Sequence, residues 1–156
     1  MKTNKIIFAL LMVVALTSCK ENNWLDWKAQ NELWLQENAK KEGVKTTHTG
    51  LQYKCIAPGE SNTPHVDEGK IVNIKYSGKL ITGYEFDASD SYEDFVYVFV
   101  PGFTEGLKLM KEFGIYEFYI PYELGYGVKG TGTEGTSNHI PPYSTLIFRV
   151  ELLDVY

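Results

Sequence analysis

In the C-terminal segment 146–152 every second side chain from Leu146 onward is apolar, and this pattern constrains the fold more than any other feature. Apolar residues occupy every second position from Leu146 to Leu152, and Arg149 and Glu151 lie between them. Successive side chains of a strand point to opposite faces. The segment therefore predicts a strand with one buried face, which requires neighbouring strands and a covering layer.

Four further segments have strand-like patterns, namely 51–56, 72–76, 95–100 and 116–120. The segment 95–100 is a continuous apolar run, whereas the other three alternate. Between the third and fourth of these segments, residues 104–112 are predicted to form a helix, because apolar side chains there recur at spacings of three and four. Five strands and one short helix predict an α+β domain over residues 44–156, whose antiparallel sheet is covered on its apolar face by that helix.

The first 18 residues have the pattern of a secretory signal peptide. Lys2 and Lys5 precede an apolar run over 6–16, which is short for a bilayer span. The run ends in Leu16-Thr17-Ser18-Cys19, which resembles the bacterial lipobox. This resemblance implies cleavage before Cys19, lipidation of that cysteine and attachment to a membrane of the bacterial cell envelope, with the outer membrane favoured. The alternatives are an uncleaved anchor or an uncharged core helix for the apolar run, and a Cys19–Cys55 disulfide for the cysteine.

The chain is acidic both with and without the predicted signal peptide. The full sequence has a formal charge of −5, from 15 basic and 20 acidic residues. Removing residues 1–18 removes two lysines, so the charge becomes 13 − 20 = −7. A general nucleic-acid binder needs a basic surface, and no nucleic-acid partner is expected.

Residues 19–43 predict a tether followed by a helix. Asn23 is a suitable helix cap and Gly43 a suitable stop. Trp24, Trp27 and Trp34 lie near one face of this helix and are the only tryptophans of the chain. They either dock the helix on the domain or form a surface for a partner or a second copy.

Several familiar kinds of chemistry find no support in the sequence. The three histidines, His48, His65 and His139, lack metal-ligand spacing. The glycine-rich segment 127–138 lacks the ending of a phosphate-binding loop and is expected to be a flap beside a site. The acidic run 87–94 is expected to be a solvated loop. No metal and no cofactor are expected.

Six short motifs occur in a fixed order between residues 34 and 156. They are Trp34–Val44 with Thr49–Tyr53, Ile74-Lys75-Tyr76-Ser77-Gly78, Glu85-Phe86-Asp87-Ala88-Ser89, Val100-Pro101-Gly102-Phe103-Thr104-Glu105-Gly106-Leu107, Tyr119-Ile120-Pro121 with Gly125-Tyr126-Gly127, and Ile140-Pro141-Pro142 with Thr145–Leu153. Together they resemble FKBP-type peptidyl-prolyl cis-trans isomerases, especially the secreted lipoprotein group that includes the macrophage infectivity potentiator. The resemblance implies a bent antiparallel sheet wrapped around one short helix.

The resemblance also implies a proline-binding pocket. Its lining would be formed by Tyr76, Phe86, Asp87, Phe95, Val100, Phe103, Tyr126, Ile140 and Phe148. Among these, Phe86, Asp87, Tyr126 and Ile140 are the implied catalytic residues. The Tyr126 hydroxyl and the Ile140 backbone N–H would bond the main chain of the substrate, and Asp87 would face its carbonyl region.

This sequence departs from the family pattern in three places. The pocket floor, usually Trp, is Phe103 here. The stretch 95–100 is several residues shorter than usual, and the flap 126–140 is longer than in the compact members.

The function implied is cis–trans isomerisation of Xaa-Pro bonds in unfolded or exported polypeptides, which would assist their folding. A catalytically weak binding module or chaperone anchored to the cell envelope is the alternative. The long helical dimerisation segment of some relatives is missing, so a monomer is expected.

Overall fold

The computed structural model describes residues 23–60 and 62–156, and there the chain forms two helices and a six-stranded sheet. The elements are α1 (Asn23–Asn38), β1 (Val44–Thr46), β2 (Gln52–Ala57), β3 (Ile71–Lys79), β4 (Glu85–Phe95), α2 (Pro101–Leu107), β5 (Ile115–Ile120) and β6 (Leu146–Val155). All neighbouring strands are antiparallel, in the order β1-β2-β5-β6-β3-β4. The α+β prediction is therefore confirmed. The predicted signal peptide and Cys19 lie outside the described residues.

The predicted C-terminal strand is β6, and it lies inside the sheet between β5 and β3. Leu146, Phe148, Val150 and Leu152 are all buried on the face that α2 covers. Leu107 of α2 is fully buried in the same core. The alternation of the sequence thus identifies the central layer of the domain.

The predicted strand over 95–100 is wrong. Strand β4 ends at Phe95, and residues Val96–Val98 form a 3₁₀ turn that leads into α2. The acidic run 87–94, expected to be a loop, instead lies within β4. Strand β4 pairs only with β3 and forms an edge of the sheet. Most of its side chains are exposed, so it lacks the apolar alternation that reveals a half-buried strand.

The predicted helix over 104–112 is also displaced. Helix α2 begins at Pro101, where a proline costs no helical hydrogen bond, and ends at Leu107. Two glycines one helical turn apart let it lie directly on β5. A Cβ atom on Gly102 would come within 2.5 Å of Ile120, and one on Gly106 within 2.7 Å of the Phe118 ring.

Helix α1 docks on the domain through buried polar contacts as well as through aromatic rings. The Trp27 indole N–H donates to Ser144 Oγ at 3.1 Å, and Trp34 packs 5.7 Å from Tyr119, measured between ring centroids. These contacts confirm the docking interpretation for both residues. The helix ends at Asn38, five residues before Gly43, the predicted stop.

Asn31 is the central polar contact of α1. It is buried, and its Oδ1 accepts a hydrogen bond of 2.7 Å from the backbone N–H of Thr145, which precedes β6. Its Nδ2 donates to the carbonyl of Trp27 at 2.8 Å. Because a buried N–H without a partner is costly, α1 and the segment before β6 depend on each other.

We expect Asn31→Ala to lower the free energy of unfolding by about 1–3 kcal/mol, since it leaves the Thr145 N–H buried and unpaired. Urea unfolding followed by circular dichroism measures this loss. Gln36→Ala, at an exposed position of the same helix, is the matched control and should change stability by less than about 0.5 kcal/mol. Equal stabilities of the two variants would contradict this account of the docking.

Candidate active site

A cavity of about 270 Å³ opens between β3, β4, α2 and β6. Its lining includes six of the nine residues that the sequence assigns to a pocket. They are Tyr76, Asp87, Val100, Phe103, Tyr126 and Phe148. Most of these side chains are aromatic, and Asp87 is the one charged residue of the lining. The cavity thus has the apolar walls and sparse polar groups that are typical of ligand sites.

Phe103 forms the floor of the cavity and is 3% exposed. Its ring meets Phe148 edge-on at 4.9 Å and Tyr76 edge-on at 6.4 Å, measured between ring centroids. Behind it, Phe118 of β5 also packs edge-on at 5.7 Å. Edge-to-face pairs of this kind each contribute about 0.5–1.5 kcal/mol beyond burial of their area, so the rings hold one another in place.

Gly78 of β3 allows these rings to approach the sheet. In the ladders it pairs with Phe148 of β6 on one side and with Asp87 of β4 on the other. A Cβ atom at this position would lie 2.6 Å from the Phe148 ring and 2.8 Å from the Phe86 ring. The glycine of the motif Ile74–Gly78 therefore provides the space that two aromatic side chains occupy.

The polar groups of the described cavity lining are three phenols, those of Tyr76, Tyr92 and Tyr126, and the carboxylate of Asp87. The Tyr76 hydroxyl donates to Asp87 Oδ2 at 2.8 Å, and burial followed by this hydrogen bond raises the pKa of Tyr76. Burial and then the charge of Asp87 also raise the pKa of Tyr126. The phenols of Tyr76 and Tyr126 consequently keep their protons at neutral pH, and each can act as a hydrogen-bond donor.

Three of the predicted pocket residues lie elsewhere. Phe86 is buried behind the lining and meets Phe148 edge-on at 5.6 Å. Ile140 is buried, and its backbone N–H donates to Thr131 O at 2.9 Å within the flap. This N–H, expected to bond the main chain of the substrate, therefore already has a partner. Phe95 is exposed and stacks on Tyr97 at 5.1 Å.

A β-bulge in β4 explains the position of Phe95. One residue of β3 separates the pairs Tyr76↔Ser89 and Ile74↔Tyr92, whereas two residues of β4 separate them. The extra residue reverses the alternation of faces along the rest of β4. Tyr92 consequently lies on the same face as Tyr76, and Phe95 lies on the opposite face.

Three lining residues were missed by the sequence analysis, namely Tyr92, Val98 and Phe99. The ring of Phe99 stacks on Phe103 at 4.8 Å with an interplanar angle of 29°. Tyr92 packs edge-on against both Tyr76 and Phe99, at 6.1 Å in each case. The aromatic character of 92–99 was visible in the sequence, but the bulge and the 3₁₀ turn that orient these side chains were not.

The chain matches two family profiles. The profile described as FKBP-type peptidyl-prolyl cis-trans isomerase matches residues 63–153. The profile described as the domain amino terminal to FKBP-type peptidyl-prolyl isomerase matches residues 12–55. The first match contains every element from β3 to β6 except the last two residues of β6.

Individual proteins are similar over most of the chain. A probable FKBP-type peptidyl-prolyl cis-trans isomerase FkpA of Neisseria meningitidis serogroup B is 42% identical over 132 residues, which cover 82% of this chain and 46% of that protein. The outer membrane protein MIP of Legionella longbeachae is 33% identical over 134 residues, covering 82% of this chain and 54% of that protein. The crystal structure of FkpA from Escherichia coli superposes with a TM-score of 0.76 at 39% identity, covering 84% of this chain and 60% of that one.

The chain therefore spans about half the length of the curated relatives that it matches. The isomerase profile alone extends over more than half of the chain. It covers the strands and the helix that carry the aromatic cavity. On this basis the chain belongs to the FKBP-type peptidyl-prolyl cis-trans isomerase family.

Proposed function

We propose that this chain catalyses the cis–trans isomerisation of Xaa-Pro bonds in unfolded or exported polypeptides. The observation that carries the proposal is the aromatic cavity over Phe103, whose described lining combines apolar walls with three phenols and one carboxylate. Family membership supports the same reaction. The proline ring of a client would occupy the space above Phe103.

The mechanism follows from the electronic structure of the amide bond. Rotation about an Xaa-Pro bond has a barrier of about 18–20 kcal/mol, because the twisted amide loses its resonance. The planar amide is more dipolar than the twisted one, so water stabilises the ground state more than the transition state. A cavity walled by Phe103, Phe148 and Tyr76 replaces that water with aromatic surface. Catalysis then consists of binding the twisted form better than the planar one.

The polar groups would orient the substrate rather than react with it. Tyr126 is 40% exposed and lines the cavity, so its hydroxyl is able to donate to a carbonyl of the client. Asp87 accepts a hydrogen bond from the Tyr76 hydroxyl. This hydrogen bond would hold the Asp87 carboxylate beside the twisting bond of the substrate. Because the Ile140 N–H is already paired with Thr131 O, we assign the main-chain hydrogen bond of the substrate to Tyr126.

We also propose that the chain is lipidated at Cys19 after removal of residues 1–18 and is held at the bacterial cell envelope, with the outer membrane favoured. The lipobox-like segment before Cys19 supports this proposal. A relative of 33% identity bears the name outer membrane protein MIP. Neither helix in residues 23–60 and 62–156 is long and apolar enough to cross a membrane.

A protease-free assay of cis–trans exchange in a short Xaa-Pro peptide tests the activity. We expect Tyr126→Phe to lower kcat/KM about fivefold and Asp87→Ala to lower it at least as much, because each removes a hydrogen bond worth about 1 kcal/mol or more. Tyr97→Phe is the matched control, since Tyr97 is exposed and does not line the cavity. A wild-type rate equal to the uncatalysed rate would reject the isomerase proposal.

The pH dependence provides a second test. Since burial raises the pKa of Tyr126 above the ordinary tyrosine value, its phenolate forms only above about pH 10. We expect kcat/KM to be constant from pH 7 to pH 9 and to decline only at higher pH, where the hydroxyl loses its proton. A decline centred between pH 7 and pH 9 in protein that remains folded by circular dichroism would contradict this role.

Lipidation at Cys19 predicts a specific mass. The protein extracted from membranes of a bacterium that expresses the full chain should have the mass of residues 19–156 plus acyl chains. Replacement of Cys19 by Ser should abolish both the cleavage and the added mass. An extracted wild-type protein without an acyl increment would exclude the lipoprotein proposal while leaving the activity untouched.

A further inference from the structure

A second and larger depression, of about 510 Å³, lies beside the proline cavity. It is formed by α1, by the turn between β3 and β4, and by the flap before β6. Its lining residues are Trp24, Asp26, Trp27, Gln30, Leu80, Thr82, Tyr84, Thr136, His139 and Pro141. We name this depression the α1 groove.

The α1 groove combines aromatic rings with one negative charge. Trp24 is 39% exposed and Tyr84 is 46% exposed, so both rings are accessible. Of the described residues that line the groove, Asp26 is the only acidic one, and none is a lysine or an arginine. Exposed aromatic faces beside a carboxylate are the chemistry that attracts an ammonium or guanidinium group.

A lysine of α1 already binds two aromatic rings of the domain outside the groove. The Lys28 ammonium lies 5.6 Å from the centroid of the Tyr143 ring and 5.7 Å from that of Tyr122. Lys28 does not line the α1 groove. Among the described residues, no lysine or arginine lies over the rings of Trp24, Trp27 or Tyr84.

The walls of the groove are fixed by hydrogen bonds between its three parts. The Trp27 indole donates to Ser144 Oγ, which in turn donates to the carbonyl of Pro141 at 2.8 Å. The Tyr84 hydroxyl donates to the carbonyl of Ser137 in the flap at 3.0 Å. The groove is consequently formed before any ligand arrives, which reduces the entropic cost of binding.

A short segment of chain connects the lining of the groove to the lining of the proline cavity. Tyr84 of the groove lies three residues before Asp87 of the cavity, which is about 10 Å along an extended chain. A client whose proline occupies the cavity reaches the groove with a residue three or four positions away.

We infer that the α1 groove binds a lysine or arginine side chain of the client, three or four residues from the proline that isomerises. The inference rests on the proposed function and names a sequence preference for it. Trp24 and Tyr84 receive the cation on their ring faces, and Asp26 supplies the opposite charge. The net charge of −5 for the whole chain also favours basic clients, because it attracts positive charge at long range.

The test compares three Xaa-Pro peptides with the full chain. One is a tetrapeptide too short to reach the groove. The other two extend five residues on each side of the proline and carry either lysine or glutamine at the third and fourth positions on both sides. We expect wild type to have a KM at least threefold lower for the lysine peptide than for the glutamine peptide, which is the size of an exposed cation–π contact.

Two substitutions in the groove and one control locate the preference. Trp24→Ala and Asp26→Asn should each reduce the ratio of the two KM values towards one, while activity on the tetrapeptide stays unchanged. Leu25→Ala is the matched control, since Leu25 is 61% exposed on α1 and does not line the groove. Trp24→Ala retains every charge, so a preference caused only by long-range attraction would survive it.

The outcomes separate this inference from the proposed function. No turnover of the tetrapeptide by wild type would reject the isomerase proposal. If the tetrapeptide is turned over, an unchanged lysine preference in Trp24→Ala would overturn the groove assignment alone. An equal loss of affinity for the lysine and glutamine peptides would also overturn it, because the groove would then bind apolar surface rather than a cation.

Discussion

The close approach of aromatic rings to the backbone of β3 is the constraint on which the site depends. A side chain at Gly78 would occupy the space of the Phe148 and Phe86 rings, and those rings support the wall above Phe103. The same principle applies on the other side of the core, where Gly106 lets α2 lie on Phe118. Fold and cavity are therefore one packing arrangement, in which glycine in a strand or a helix is retained for contact rather than for flexibility.

Helix α1 extends that arrangement beyond the sheet. Asn31 accepts the N–H of Thr145, and Trp27 bonds Ser144, so the helix fixes the segment that joins the flap to β6. The flap in turn is held to the β3–β4 turn by Tyr84. Helix α1 is thus an integral part of the packed domain, joined to it through the segment that precedes β6.

The sequence predicts the parts of this structure that alternate or are buried on one side. Strand β6 was predictable because its inward side chains are all apolar, and α1 because its tryptophans lie near one face. Strand β4 was not, since it is an edge strand with mainly exposed polar residues. The positions of Tyr92 and Phe95 depend on one extra residue in β4, and a bulge of that kind has no signature in hydrophobic periodicity. Periodicity alone would have assigned Tyr76, Phe86 and Phe148 to the core, and it was motif context that assigned them to a pocket.

Two of the departures from the family pattern meet in space. The sequence has Phe103 where the family usually has Trp, and it shortens the stretch that ends at Val100. In the structure that shortened stretch places Phe99 against Phe103, stacked at 4.8 Å, and both rings line the cavity. The aromatic area that the smaller floor lacks is therefore supplied by the neighbouring turn. Because the two rings share one surface, a change at either position alters the shape that the proline ring would meet, and the two departures are best understood as a single adjustment of the cavity.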